Sequence, residues 1–114
     1  MRPNVYDRQG AGSLVPLLRS ITTEMLERTR TIEALEGRLD PISRTMDRSA
    51  RAGIEGQLAG QRRDLRLAKR ELERLGCVLD ADRPLRVLIP GTDGELGHGY
   101  AWSPLDETIE ALAY

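Results

Sequence analysis

Residues 90–102, PGTDGELGHGYAW, hold the side chains of this chain that are best suited to chemistry. Four glycines lie in this segment with the only histidine, His98, and the only tryptophan, Trp102. A histidine can act as a general base or a metal ligand, and glycine N–H groups can cradle a phosphate. His98, Tyr100 and Trp102 are therefore the candidate ligand-binding residues of this segment.

The segment lacks the partners that either chemistry needs. A phosphate loop opens a helix and commonly contains lysine, whereas these glycines follow one strand-like run and precede another. A zinc site needs further histidine or cysteine ligands, and Cys77 is the only such residue elsewhere. Pro90-Gly91 and Asp93-Gly94 are favoured turn pairs. We therefore predict a connection between strands, without metal or cofactor, and favour a protein that is not an enzyme.

Two stretches repeat apolar residues in steps of four and three, a spacing typical of coiled-coil helices. We call each series a seam. The first seam comprises Leu14, Leu18, Ile21, Met25, Arg28, Ile32, Leu35 and Leu39. The second comprises Ile54, Leu58, Gln61, Leu65, Ala68, Leu72 and Leu75. They predict a long antiparallel helical hairpin over residues 7–76.

The hairpin has predictable ends and one undecided part. Asp40-Pro41 interrupts the first helix, because proline disfavours a helical conformation in the residue before it. Gly76 follows the second helix where a left-handed cap residue is expected. The linker, 40–53, could be a loop or extra helical turns. Arg28 and Gln61 interrupt the seams and could face each other within the chain or across a dimer.

After Gly76 the pattern changes to short strand-like runs. CVL, LRVLI and GYAW are separated by turn residues and predict a small β-meander. Residues 104–114 could form a short helix, with Ser103 as N-cap and Pro104 at the first position, or a further strand. The predicted fold is one mainly α domain, 1–114, in which 77–114 form a β-appendage and an acidic tail.

Charge is distributed unevenly along the chain. Residues 77–114 carry two positive and seven negative side chains, and the net charge of the whole chain is −1. On the second helix, four arginines recur every four residues and Lys69 lies alongside them; this basic stripe comprises Arg62, Arg66, Lys69, Arg70 and Arg74. The stripe is a candidate interaction surface for a protein, or for nucleic acid phosphates. Interleaved acidic residues and the lack of aromatic residues favour helix pairing and a protein partner.

Composition bears on location. The N-terminus has no apolar signal-peptide core, and no apolar run approaches the ~18 residues of a membrane span. With a single cysteine no internal disulfide can form. We predict a cytoplasmic protein with no membrane contact.

Several segments resemble a bacterial domain-of-unknown-function family, number 2203. YDRQGAGSLVPLLRSI is similar to its opening, ELERLGC to the end of its second helix, and GYAWSPLDE to its late aromatic segment. DADRPLRVLIPG replaces the family's Gly-Leu-Val-Asp-Phe-Pro segment, and Ser103 stands where the family often has histidine. The opening matches at Tyr6, Ala11, Leu14, Val15, Pro16 and Leu18. The resemblance implies a helical hairpin with a small β-region, Asp7 capping a short first helix and a kink near Pro16, but no activity.

Two helices with narrow seams bury too little apolar surface to be stable alone. Cover must come from the C-terminal region, from a second chain, or from both. Off-seam apolar residues could supply a second contact: Val15, Leu17, Leu26 and Leu67. We therefore favour a homodimer that forms a four-helix bundle and serves as an interaction or scaffold module. A nucleic-acid-associated protein and an activity around His98 are the alternatives.

Overall fold

The computed structural model describes residues 4–42, 47–80, 83 and 85–112. The elements within these residues are mainly helical and end in a small sheet. The helices are α1 (Arg8–Ser13), α2 (Val15–Ile42) and α3 (Arg48–Arg74). The strands are β1 (Val78–Leu79), β2 (Val87–Ile89), β3 (Tyr100–Trp102) and β4 (Glu110–Ala111), with a 3₁₀ turn at Leu96–His98 before β3. None of the described helices is long and apolar enough to cross a membrane.

The short first helix follows from one capping residue. The Asp7 carboxylate accepts a hydrogen bond from the Gly10 backbone N–H at 2.7 Å, which satisfies one of the donors that a helix start leaves open. This is the cap that the family resemblance implied. Leu14 forms a turn between α1 and α2, so the break between the two helices lies close to Pro16. Proline is tolerated there because the first turn of a helix does not use its missing N–H.

The predicted hairpin is confirmed, because α2 and α3 pack together along the two seams. Every seam residue is buried or half-buried, including the polar Arg28 and Gln61. The fully buried members are Leu18, Ile21, Met25, Leu35, Ile54, Leu58, Ala68 and Leu72. The 3.5-residue repeat thus identified the contact line of both helices.

The predicted end of the first helix at Asp40-Pro41 is wrong, since α2 continues to Ile42. Only one residue of helix follows Pro41, so the proline costs a terminal hydrogen bond and interrupts no continuing helix. Asp47 caps α3 by accepting a hydrogen bond from the Ala50 N–H at 2.6 Å. Much of the undecided linker is therefore helical, and residues 43–46 lie outside the described part of the chain.

The predicted β-meander is also confirmed. The strands pair antiparallel in the order β1-β2-β3-β4, with Leu88 opposite both Val78 and Ala101. The sheet packs against the N-terminal half of α2 and the C-terminal half of α3. Their shared core contains Ala11, Leu18, Ile21, Met25, Ala68, Leu72, Cys77, Val87, Ile89 and Trp102. The C-terminal region thus supplies cover for one half of the hairpin.

The distal half of the hairpin has a much smaller core. Leu35, Ile54 and Leu58 are its buried members, and Ile32 and Leu39 pack against them. Among the described residues, this cluster contains side chains of α2 and α3 and none from the sheet. The described distal cluster therefore buries less apolar surface than the core beneath the sheet.

The helical interpretation of residues 104–114 is wrong for the residues that the structure describes. Asp106 N–H bonds the Ser103 carbonyl at 2.9 Å, which closes a single turn, and the chain then enters β4. The Arg19 guanidinium donates to the carbonyls of Pro104 and Asp106 at 3.2 and 3.0 Å. A helix would use those two carbonyls for its own next turn, so Arg19 favours the turn instead.

The end of α3 is a Schellman motif built on Gly76. The Gly76 N–H bonds the Glu73 carbonyl at 2.9 Å, and the Cys77 N–H bonds the Leu72 carbonyl at 3.1 Å. Gly76 has φ +79°, as its predicted role requires. A Cβ placed on Gly76 would lie 2.8 Å from the Asn4 Cβ, so space as well as backbone conformation favours glycine.

Replacing two glycines by alanine should change stability in opposite directions. Gly76→Ala should lower the free energy of unfolding by about 1–2 kcal/mol or more, because a left-handed residue with a Cβ is strained. Gly53→Ala should raise it by about 0.5–1 kcal/mol, since a Cβ at this mid-helix position meets nothing within 4 Å. Urea unfolding of both variants checks this. Equal effects of the two changes would contradict the assigned roles.

Candidate functional site

The glycine-rich segment connects β2 to β3, as predicted. The backbone of this connection explains why Gly91, Gly94 and Gly99 are glycines. Gly94 has φ +82° and donates its N–H to the Gly91 carbonyl at 3.0 Å, which closes a turn. A Cβ on Gly99 would collide with the Ile89 carbonyl, and one on Gly91 would collide with the His98 carbonyl. Close approach of the two backbone segments therefore requires glycine at these positions.

His98 is held in this loop by an acidic neighbour. Its Nδ1 lies 2.6 Å from Asp93 Oδ2, and both side chains are about half exposed. The pKa of Asp93 is lowered, first by the Glu95 N–H that it accepts and then by His98. Within the described residues no three histidine, cysteine or acidic side chains are grouped as a metal site would need. The pair thus closes a surface loop between β2 and β3.

Trp102 belongs to the core and has no exposed surface to offer a ligand. Tyr100, on the same strand, is half-buried and packs against that core. The Arg19 guanidinium lies 5.2 Å from the centre of the Trp102 ring, a cation–π distance. Of the three candidate loop residues, only His98 is exposed. Arg19 lies outside the seams, 83 positions before Trp102, so no local pattern indicated this contact.

Cys77 is a core residue with an unreactive thiol. It has no exposed surface, and burial raises its pKa to about 11. The ordinary pKa of 9.0 would leave a fraction of thiolate near neutral pH, whereas the raised pKa keeps the group protonated. Cys77 is therefore a buried structural cysteine of the main core.

The basic stripe lies on the solvent-exposed surface of α3, and all five of its residues are exposed. Arg62 donates to Glu36 of α2 at 3.2 Å, so this cation helps to pair the helices. The other four make no ion pair with any described residue: Arg66, Lys69, Arg70 and Arg74. These four cations lie within about two turns of α3, together with the exposed Glu71 and Glu73.

A polar layer lies within the hairpin seam. Arg28 Nη1 donates to Gln61 Oε1 at 3.3 Å and lies 3.8 Å from Asp64 Oδ2. Arg28 also lies 3.6 Å from Glu24 on its own helix. Of the two arrangements left open, Arg28 and Gln61 face each other within the chain. This layer specifies helix register, because sliding one helix would leave half-buried polar groups unpaired.

No pattern in the sequence indicated the two groups of residues around Arg86 and Leu105. Arg86 bonds Asp80 at 2.8 Å and approaches Glu110 at 3.9 Å, which links three parts of the sheet region. Leu105 is 97% exposed on the turn that Arg19 holds. Its isolated position between Pro104 and Asp106 carries no periodic signal.

Comparison with known proteins gives no match: no family model, no curated protein and no solved structure is similar to this chain. The resemblance to family 2203 stays a prediction. The basic stripe and the exposed surface of the sheet region are thus interpreted from their own chemistry.

Alkaline pH should destabilise this protein through Cys77. Because the folded-state pKa exceeds the ordinary one, the stabilisation is complete below pH 9 and is lost as pH rises toward 11. The free energy of unfolding should fall by at most about 1.4 kcal/mol per pH unit in this range. Urea unfolding between these pH values measures the slope. Cys77→Ala should make the slope shallower. Part of the slope should remain, because burial also raises the pKa of Tyr6. An unchanged slope contradicts the account.

Proposed function

We propose that this chain is a non-enzymatic protein–protein interaction module that acts in the cytoplasm as a homodimer and presents the basic stripe to an acidic protein surface. The observation that carries the proposal is that several cations of the stripe have no ion-pair partner among the described residues. Arg66, Lys69 and Arg70 are exposed and make no ion pair with any described residue, whereas Arg62 and Arg28 are used within the hairpin. Available cations on a rigid helix favour a partner that carries carboxylates.

The rigidity of α3 makes its surface suitable for recognition. The segment that carries the stripe is fixed on its inner side by Ala68 and Leu72 of the main core. Its end is fixed by the N-terminal segment: Asn4 and Tyr6 donate side-chain hydrogen bonds to the carbonyls of Arg74 and Leu75 at 2.6 and 2.8 Å. A surface held in this way loses little conformational freedom when a partner binds.

A protein partner fits the stripe better than nucleic acid. Glu71 and Glu73 lie among the cations, and the exposed Leu67 lies beside them. Acidic side chains repel phosphates, and α3 contains no aromatic residue on which a base could stack. A mixed surface of cations, two anions and an apolar side chain suits a protein interface. Nucleic acid is the second candidate, supported by the four-residue spacing of the arginines.

Homodimer formation is supported by the thin distal core. Of the residues that the structure describes, three are buried there, and two helices without further cover are marginally stable. A second copy would add apolar burial to a hairpin that the sheet covers over one half only. Membership of family 2203, if established, would agree with this proposal in fold and would add no activity.

Reversing two cations of the stripe should abolish binding to an acidic ligand. The probes are a fluorescein-labelled polyglutamate peptide and a labelled DNA duplex, followed by fluorescence anisotropy at several salt concentrations. Arg66→Glu/Arg70→Glu should weaken peptide binding at least about ten-fold, because two attractive contacts become repulsive. Neither arginine has an ion pair among the described residues, so folding should be unaffected.

The matched control is Arg30→Glu/Arg38→Glu, which makes the same charge change at exposed positions of α2. It should leave peptide affinity within about two-fold of the wild type, since distant exposed charges are largely screened. Equal losses in both double variants would reduce the effect to net charge and overturn the assigned surface. Tighter binding to DNA than to the peptide, with a steep salt dependence, would favour the nucleic-acid alternative.

A further inference from the structure

An apolar patch lies on the sheet side of α2, away from the basic stripe. Leu26, Leu85, Pro104 and Leu105 surround an open cavity of about 510 Å³. Charged residues of both signs, including Arg83 and Glu110, line the same cavity. We call these four apolar residues and their cavity the Leu105 patch. The main core and the His98 loop use none of the four.

Leu105 projects into solvent from a turn that hydrogen bonds hold in place. Its side chain is 97% exposed, the most exposed large hydrophobic residue of the described chain. Asp106 Oδ2 accepts hydrogen bonds from both the N–H and the hydroxyl of Ser103, at 3.1 and 3.0 Å. Arg19 holds the turn from below through the Pro104 and Asp106 carbonyls. The leucine is thus presented to solvent by a turn with few free backbone groups, at a hydrophobic cost that burial would remove.

Leu85 forms the wall of the cavity under backbone strain. It is the only non-glycine residue of the described chain with positive φ, at +64°. The Arg86 N–H bonds the Arg83 carbonyl at 3.2 Å, so Leu85 occupies the turn position at which glycine is favoured. A large side chain at such a position costs stability, and strain of this kind is often found at functional sites. Its half-buried side chain lines the cavity next to Leu105.

The geometry points to a second copy of this chain as the occupant of the patch, with Leu105 of each copy inserted into the cavity of the other. A twofold dimer brings the same surface of two copies together, so that surface must contain both a projection and a matching depression. The Leu105 patch contains the two side by side. This inference rests on the homodimer of the proposed function and adds its contact surface.

Charge at the rim also fits a twofold contact. Arg83, Asp106 and Glu110 are exposed and all line the cavity, so its rim carries both signs of charge. Two copies of such a rim can pair a cation of one copy with an anion of the other. A surface for a strongly acidic or basic partner would instead carry one sign. Apolar anchors inside a polar rim of both signs are the expected anatomy of a self-association surface.

Sedimentation velocity of the full chain over a concentration series tests the inference. The wild type should be a dimer that dissociates on dilution. Leu105→Asp should raise its dissociation constant at least about 30-fold, as expected for loss of a central anchor. Leu85→Gly should raise the constant about ten-fold while leaving the melting temperature unchanged or higher, because glycine relieves the strained φ. Circular dichroism checks that each variant keeps its helix content.

Leu17→Asp is the matched control, since Leu17 is an exposed leucine on α2 at 44% and does not line the cavity. It should leave the dissociation constant within about two-fold of the wild type. A monomeric wild type overturns both this inference and the homodimer of the proposed function. A dimer unaffected by Leu105→Asp, or one that Leu17→Asp dissociates, overturns the patch alone. Binding of polyglutamate is expected to survive Leu105→Asp, so failure of the patch and failure of the basic stripe are distinguishable.

Discussion

The fold depends on how much of a two-helix contact is covered by a third layer. Two helices that touch along one seam leave most of their apolar edges in water. Beneath the sheet, Val87, Ile89 and Trp102 close the groove between α2 and α3 and complete a core of ten buried residues. Beyond the sheet, three buried residues among those described hold the helices together. The same hairpin is therefore well supported at one end and thinly supported at the other.

Arg19 and Arg28 give this arrangement its specificity. Arg28 joins the helices through Gln61 and Asp64, which specifies their register. Arg19 covers the Trp102 ring and holds the turn that follows β3. Each guanidinium organises several acceptors around one planar group, as lysine could not. The outer cations of α3 have no ion pair among the described residues, and Leu105 is exposed. The molecule therefore has two separate surfaces, one charged and one apolar.

Periodicity made the helices predictable, because the buried apolar residues described in α2 and α3 all lie on the 3.5-residue repeat, and only the buried Thr22 lies off it. Gly76 and the β-meander followed from cap and turn chemistry. The extension of α2 through Pro41 and the turn at Ser103–Asp106 did not, since the outcome for the turn depends on Arg19, 85 residues away from Pro104. The basic stripe was visible from its spacing; the Leu105 patch was not, because distant segments build its cavity.

Native-state hydrogen exchange tests uneven support along α3 most directly. Amides in residues 65–74, which lie beside the main core, should exchange only through global unfolding. Amides in residues 54–60, which lie beside the distal cluster, should exchange at least about ten-fold faster through local opening in dilute monomeric protein. Uniform protection along α3 under these conditions would contradict the account, because it would mean that the seam alone stabilises the hairpin.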